Sequence, residues 1–474
     1  MMRRMPTLSR TVALVALTLL GGCASFSPDG GLLAVNDITT PALGANAVAV
    51  RTPEEAETAS RRVKTLLRLP LSADRAVQIA LLNNRDLQAS YNALRLSEAA
   101  MVQASLPPNP TFSLERITGV GAVEIEGRIA GSLLQLATLP MRADIAADRF
   151  RQAQFLAASD TLRIASEARR AFYRAVGARA LVAMLTQARE TGQTAAELAR
   201  RLGETGAMNK LDQARNQAFY AEMVAQLGTA RLRAESERER LVRVLGLWGD
   251  DLEFKMPAQL PALPVRARAL VHIETDAVRR RVDLQIARIE ADLLAKSYGL
   301  TNATRFISLL DVAGIAKEKR ESGELRSERG YEVEVQIPLF DFGEVKIRQA
   351  EENYLQAVNR LTAKAVNVRS EAREAYQAYR ASFDIARHYR REVLPLRKII
   401  SDETLLRYNA MQIDVFALLI EARQRITATN AAIEAERDFW LAETNLGAAV
   451  LGGAAAASPE TTPLTTAAES PGGH

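Results

Sequence analysis

The sequence predicts an α + transmembrane β fold: mostly long helices, with four short strands sized to cross a membrane. Three observations predict it. Pro140 and Pro338 each close a short alternating stretch and open an unbroken helical pattern of about sixty residues. The alternating stretches have a period of two, the mark of a sheet with one apolar and one polar face. The helical patterns carry charge throughout, so they do not lie in lipid.

Residues 1–22 read as a signal peptide. Arg3, Arg4 and Arg10 precede an apolar core at residues 11–20, too short to span a bilayer, which takes about 20 apolar residues. Leu20-Gly21-Gly22-Cys23 then sets small residues before the only cysteine in the chain. This looks like a bacterial lipobox, with cleavage before Cys23 and lipidation of its thiol. The alternative is an ordinary signal peptide with a chance cysteine. Ala24 in place of an aspartate resembles lipoproteins sorted to the outer membrane. An acylated Cys23 leaves no disulfide, so stability comes from packing and assembly. Without residues 1–22 the chain loses three arginines and no acids, and its charge is close to neutral. That balance speaks against a nucleic-acid partner.

Residues 23–70 hold Pro28, Pro41, Pro53 and Pro70 and read as a lipidated, extended arm. Two repeats follow, at 71–264 and 265–451. Each opens on a helix, with Asp74-Arg75-Ala76-Val77 leading to Asp86-Leu87-Gln88-Ala89 in one and Asp276-Ala277-Val278 leading to Asp283-Leu284-Gln285 in the other. Ser72 and Thr275 are candidate N-caps. Leu106-Pro107-Pro108-Asn109-Pro110 stops the first helix.

Strand pairs follow at 111–138 and 304–340. Tyr331, Val333, Val335 and Ile337 alternate with Glu332, Glu334 and Gln336. Val123, Ile125 and Ile129 alternate with Glu124, Glu126 and Arg128, and Glu115 lies in the strand before. The charged run at 317–330 reads as an exposed loop. Residues 141–202 then form a helix ~93 Å long, and residues 343–408 one of ~99 Å, at 1.5 Å per residue. Asp341 is a candidate cap for the second, and Pro395 should bend it or open one hydrogen bond. Turns at 203–212 and 408–415 reverse the chain into return helices, for which Gly246 and Gly447 are candidate stops. Residues 452–474 are low-complexity and read as a disordered tail.

Four strands cannot close a barrel, and an open sheet in lipid would leave its edge groups unsatisfied. Two chains would supply eight strands and three would supply twelve, so membrane strands imply an oligomer. The apolar set would face lipid. Glu115, Glu124, Glu126, Arg128, Glu332 and Glu334 would face a lumen. An acidic lumen is one reading of that face, and a solvated face without selectivity is the other.

With the doubled plan, the Pro338-Leu339-Phe340-Asp341-Phe342-Gly343 junction and the two turns in view, residues 70–450 resemble the TolC-like outer-membrane efflux channels, in their lipoprotein branch. The resemblance implies a homotrimer with one twelve-stranded outer-membrane barrel, continued by a periplasmic α-barrel. It implies a location in the cell outer membrane, anchored by lipid and extending into the periplasm. The implied partners are a periplasmic adaptor (membrane fusion) protein, an inner-membrane pump and outer-membrane lipid. The turns would be the periplasmic tips, serving as gate and docking point. Gly206, Asn209, Leu211 and Asp212 match family positions in the first tip, with Asn209 where serine is usual. Tyr408 matches in the second, but Met411 replaces the customary glycine. Asp414 would join a carboxylate ring at the pore axis. Helix capping is the alternative for Asp212 and Asp414.

An adaptor or coiled-coil scaffold lipoprotein is the competing reading. Adaptors carry one hairpin between β-rich domains, whereas this chain has two helical halves. An enzyme is not expected. His272, His388 and His474 are scattered and make no triad or metal set, and no cofactor is implied. Asp341-Phe342-Gly343 copies a kinase tripeptide without the other kinase elements. The ten methionines form no cluster, so metal-ion export has no special support.

Overall fold

The computed structural model describes residues 25–119, 122–321 and 324–453. The segment read as a signal peptide, Cys23 and nearly all of the stretch read as a tail lie outside the described residues. Two compact units form. One gathers residues up to Ile38 with Gln88–Ala158 and Val282–Asn367; the other gathers Thr39–Leu87, Ser159–Arg281 and the chain from Val368 onward. Each unit therefore draws on both sequence repeats.

The stretch read as an extended arm is largely helical. Helices α1 (Leu32–Leu43) and α2 (Pro53–Leu67) occupy it. Pro53 opens α2 because the first helical position has no N–H to lose. Thr52 and Glu55 form a reciprocal capping box ahead of it. Proline count misled the sequence reading here, since proline at a helix start supports the helix. Upstream, Ser27 donates its backbone N–H to Glu98 at 2.7 Å, and Arg95 donates to the Asp29 carbonyl at 3.1 Å.

The first repeat helix is two helices, α3 (Ala73–Asn83) and α4 (Arg85–Ser105), parted by an extended Asn84. Ser72 caps α3 as expected, accepting from the Arg75 N–H at 3.2 Å. Asn84 donates its side-chain amide to the Val244 carbonyl at 2.9 Å and accepts from the Leu87 N–H at 3.0 Å. The break thus spends its side chain on a neighbouring helix end. In the second repeat, α8 (Ile273–Arg280) and α9 (Val282–Ala303) part at an extended Arg281. Thr275 is not a cap: it lies inside α8, which starts at Ile273.

In the first unit, β1 (Thr111–Gly119), β2 (Ala122–Ser132), β3 (Leu309–Glu321) and β4 (Glu324–Gln336) form one antiparallel sheet in the order β1-β2-β3-β4. The charged run expected to be a loop is the paired ends of β3 and β4. Opposite charges sit across the ladder there, with Lys317 facing Glu126 on one side and Glu328 on the other. Such pairs favour the sheet, a contribution invisible until strand partners are known. Lys296 holds α9 to the start of α6, through Asp148 at 2.6 Å and Asp144 at 2.7 Å.

After a short helix α5 (Leu133–Ala137), α6 (Leu139–Glu204) runs 66 residues, and α7 (Lys210–Leu245) returns. Helix α10 (Glu344–His388) gives way to a π-helical turn at Tyr389–Val393, then α11 (Leu394–Asn409). The Leu394 N–H bonds back to the Tyr389 carbonyl. Pro395 has no N–H to offer, so the ladder shifts its register just before it. Asp341 does not cap α10 directly. Its carboxylate accepts from the Gly343 N–H at 3.1 Å and shapes the turn ahead of the helix. The last helix, α12 (Val415–Leu451), runs through Gly447 and stops at Gly452. Gly246 does end α7, in the left-handed conformation.

The core of the second unit is aromatic and small-residue rich. Phe439, Tyr379, Phe383, Ala372 and Ala386 are buried together with Val368 and Leu446. Phe439 meets Tyr379 at 5.6 Å, Phe383 at 5.7 Å and Trp440 at 5.1 Å between ring centroids. Along α6, Ala165, Ala168, Phe172, Ala175 and Val176 are buried at helical spacing. Alanine there lets helix backbones approach closely.

Candidate functional site

Two regions carry the sequence-derived candidates: the sheet of the first unit and the paired turns of the second. Directly opposed residues of an antiparallel ladder share a face. The register puts Glu115 opposite Glu126, Glu124 opposite Lys319, Arg128 opposite Ile315, and Glu332 and Glu334 opposite Ala313 and Asp311. All six expected polar-face residues therefore lie on one face. Phe112, Leu114, Val123, Ile125, Ile129, Tyr331, Val333 and Val335 share the other. Tyr331 is 83% exposed and Phe112 68%, so the apolar face is uncovered in the single chain. Along β3, exposed positions from Gly314 to Arg320 alternate with half-buried ones on the polar face.

The polar face is less acidic than the sequence suggested. Lys317 pairs with Glu124 and lies 3.7 Å from Glu126; Arg128 meets Glu332 at 3.1 Å. Lys317 and Lys319 lie in the charged run that the sequence alone presents as a loop, so only the strand pairing brings them onto this face. Among the described residues Glu115 and Glu334 have no ion pair, and one carboxylate oxygen of Asp311, opposite Glu334, is enclosed without a hydrogen-bond partner. Beyond the strands, Phe306, Phe340 and Phe342 are all exposed, and the register places them together at the end of the sheet away from the hairpins.

The two turns are built alike. At the first, the Gly206 N–H bonds to the Gly203 carbonyl at 3.1 Å and the Ala207 N–H to Leu202 at 2.8 Å. At the second, Met411 bonds to Tyr408 and Gln412 to Arg407, both at 2.9 Å. Both are the helix-ending loop in which one residue adopts the left-handed conformation. Gly206 has φ 73° and Met411 φ 57°. Glycine takes that conformation freely, whereas a residue with a Cβ is strained there by roughly 1–2 kcal/mol. The missing glycine does not change the turn; it loads it. Met411→Gly is expected to stabilise the second turn by about 1 kcal/mol, read as slower amide exchange across residues 405–412. Unchanged or faster exchange would contradict the strain.

Three residues past each left-handed residue comes an N-cap. Asn209 accepts from the Asp212 N–H and Asp414 from the Ala417 N–H, both at 2.9 Å. Asn209 and Asp414 are thus structural counterparts. Capping applies to Asp414, while Asp212 sits one turn in. Asp212 accepts from the Asn209 side-chain amide at 2.7 Å and pairs with Arg215 at 3.2 Å. The Arg215 guanidinium also lies 4.5 Å from the Phe416 ring centre, joining the turns. Further along, Arg423 pairs with Glu222 and stands 5.3 Å over the Phe219 ring. Arg215 and Phe416 were missed as site residues. The three-residue spacing from Asp212 to Arg215 was the available signal; the aromatic partner needed tertiary contact. Leu211 and Met411 are exposed at the turns.

At the end of α6, hydrogen bonds from Arg200 and then Arg201 pull the Glu197 carboxyl down to about 2. A lowered folded value means that this bracing is fully present above the ordinary carboxylate range and is lost as pH falls toward 2. A carboxyl titration followed by NMR should place the Glu197 midpoint well below 4. An ordinary midpoint would show that the cluster does not persist in solution.

No helix among the described residues is long and apolar enough to cross a membrane, and no group of three or more metal-ligating side chains occurs among them. No family model and no curated protein matches the sequence. Solved structures do. The chain is similar to the outer-membrane channel OprN, with a TM-score of 0.67 at 16% identity over 87% of this chain and 95% of that one. It is similar to the CmeC outer membrane channel of Campylobacter jejuni, with 0.66 at 15% over 80% and 86%. The open state of the MtrE outer membrane channel of Neisseria gonorrhoeae gives 0.61 at 15% over 80% and 88%. At such identities the likeness is one of fold.

Proposed function

We propose that this chain, which has the fold of these outer-membrane channels, is the exit duct of a tripartite efflux or type I secretion-like system. The observation that carries the reading is the amphipathic sheet. Its strands are 9, 11, 13 and 13 residues long, against about 9–11 for a membrane strand. One face is apolar and uncovered over the part nearer the helices, with Arg116, Glu318, Arg320 and Arg329 on it toward the hairpins, and β1 and β4 end the sheet as open edges. Such edges cannot stay unpaired in lipid. Pairing β4 of one copy with β1 of the next satisfies them, and three copies give twelve strands. The fold shared with solved outer-membrane channels supports a membrane barrel.

In this reading Cys23 carries the lipid anchor, and the polar face lines the lumen. The turns at 203–212 and 408–415 form the periplasmic entrance and meet the adaptor of an inner-membrane pump. Transport is passive, with energy supplied by the pump. Asp414 lends its second carboxylate oxygen to a ring at the pore axis while the first caps α12. The Asp212–Arg215–Phe416 contact supports a closed entrance. Purified protein in a planar bilayer should conduct, and its detergent-solubilised mass should be that of a trimer. A conducting monomer, or a trimer that never conducts, would sink the reading.

Glu332→Gln with Glu334→Gln is expected to shift permeability away from cations, because it removes a carboxylate without an ion partner and frees Arg128. Unchanged ion selectivity would remove these residues from the lumen.

A further inference from the structure

Where the sheet meets the helices of the first unit, a cavity of about 450 Å³ opens beside Pro338 and Ser308. Three cations line it: Arg142 in the first turn of α6, Arg305 just past α9, and Lys346 in the first turn of α10. The one carboxylate in its wall, Asp341, already accepts from the Gly343 N–H. None of the three cations has an ion pair among the described residues. The Nε of Arg305 is enclosed and lacks a hydrogen-bond partner, while its guanidinium lies 4.6 Å over the Phe306 ring. Two helices also begin here, and their N-terminal ends add positive potential.

Unpaired cations gathered in one cavity repel one another, and a bound anion relieves that repulsion. The surroundings name its source. Phe306, Leu339, Phe340 and Phe342 expose their side chains next to the cavity, and Phe340 is not covered at all. An anion bound here would sit among apolar groups at the level where the sheet ends. We propose that the cavity binds the phosphate headgroup of an anionic glycerophospholipid, whose acyl chains lie along the apolar face above. Arg142, Lys346 and the Arg305 guanidinium face the phosphate. This rests on the reading of the sheet as a membrane segment.

Native mass spectrometry of the full chain released in detergent, with phosphatidylglycerol as the probe, tests it. Saturable binding is expected. Arg142→Gln with Lys346→Gln should weaken it by at least about tenfold, and added salt should weaken it in the wild type. Binding of the double variant at wild-type strength would overturn the proposal. Should the double variant melt early, each single variant is read instead, and unchanged binding in both would overturn it equally. Diacylglycerol bound as tightly as phosphatidylglycerol would remove the phosphate from the recognition. Inorganic phosphate displacing the lipid at equal concentration would assign the cavity to a free anion. Conductance of the wild type is read separately. A silent protein that still binds the lipid through these cations would refute the channel and leave the site standing.

Discussion

Phe439→Ala is expected to destabilise the second unit by about 3–5 kcal/mol, the range for truncating a fully buried aromatic ring. Phe439 has no exposed surface and touches three rings, those of Tyr379, Phe383 and Trp440. Its loss leaves a cavity that cannot collapse easily. The Tyr379 hydroxyl accepts from the Arg268 N–H at 3.1 Å, and Trp440 donates its indole N–H to the Pro261 carbonyl at 3.1 Å. Both hold the segment between α7 and α8 and cannot swing into the gap without giving up those bonds. Trp440 also stacks on Tyr173 at 5.3 Å, and burial raises the Tyr173 hydroxyl to about 12. The urea midpoint followed by tryptophan fluorescence measures the cost. A loss under about 1 kcal/mol would mean that the ring cluster is not packed as described.

Gly343→Ala should be comparably severe in the first unit. Gly343 has φ 75°, and an added Cβ would lie 2.4 Å from the Arg305 carbonyl oxygen. Left-handed strain contributes roughly 1–2 kcal/mol, and forcing a group against fixed backbone adds about 1–3 kcal/mol. The neighbour is a main-chain oxygen, so no rotamer change relieves it. The joint between β4 and α10 must move away from the end of α9. The expected result is a lower thermal midpoint and loss of the trimer in detergent. Gly314→Ala is the control, since nothing lies near its Cβ position; equal behaviour of the two variants would refute the close approach.

These sites show what could be read from the chain directly. Period-two alternation around Tyr331 and Val333 named the strand and both its faces, because alternation is a property of the backbone itself. Ser72 and Gly246 were legible for the same reason: a cap or a helix stop is a local event. Asn84 and Arg281 were not, since each breaks a helix to serve a partner elsewhere. Asn84 bonds to Val244, and Arg281 pairs with Glu371 at 2.5 Å. The charged run at 317–330 was misread because its strand character comes from the facing charges of β2 and β4. Met411 was legible as a departure from glycine, but only the turn geometry told that the chain accepts the strain.

The sequence by itself determined the doubled plan, the long helices, the presence of two strand pairs and the faces of β2 and of the last part of β4. Those follow from periodicity and local backbone chemistry. Tertiary structure alone decided which carboxylates of the polar face are neutralised, that Asn209 and Asp414 are counterparts, and that Arg142, Arg305 and Lys346 line one cavity. Charge pairing and cavities depend on residues far apart in the chain, and only the packed fold brings these together.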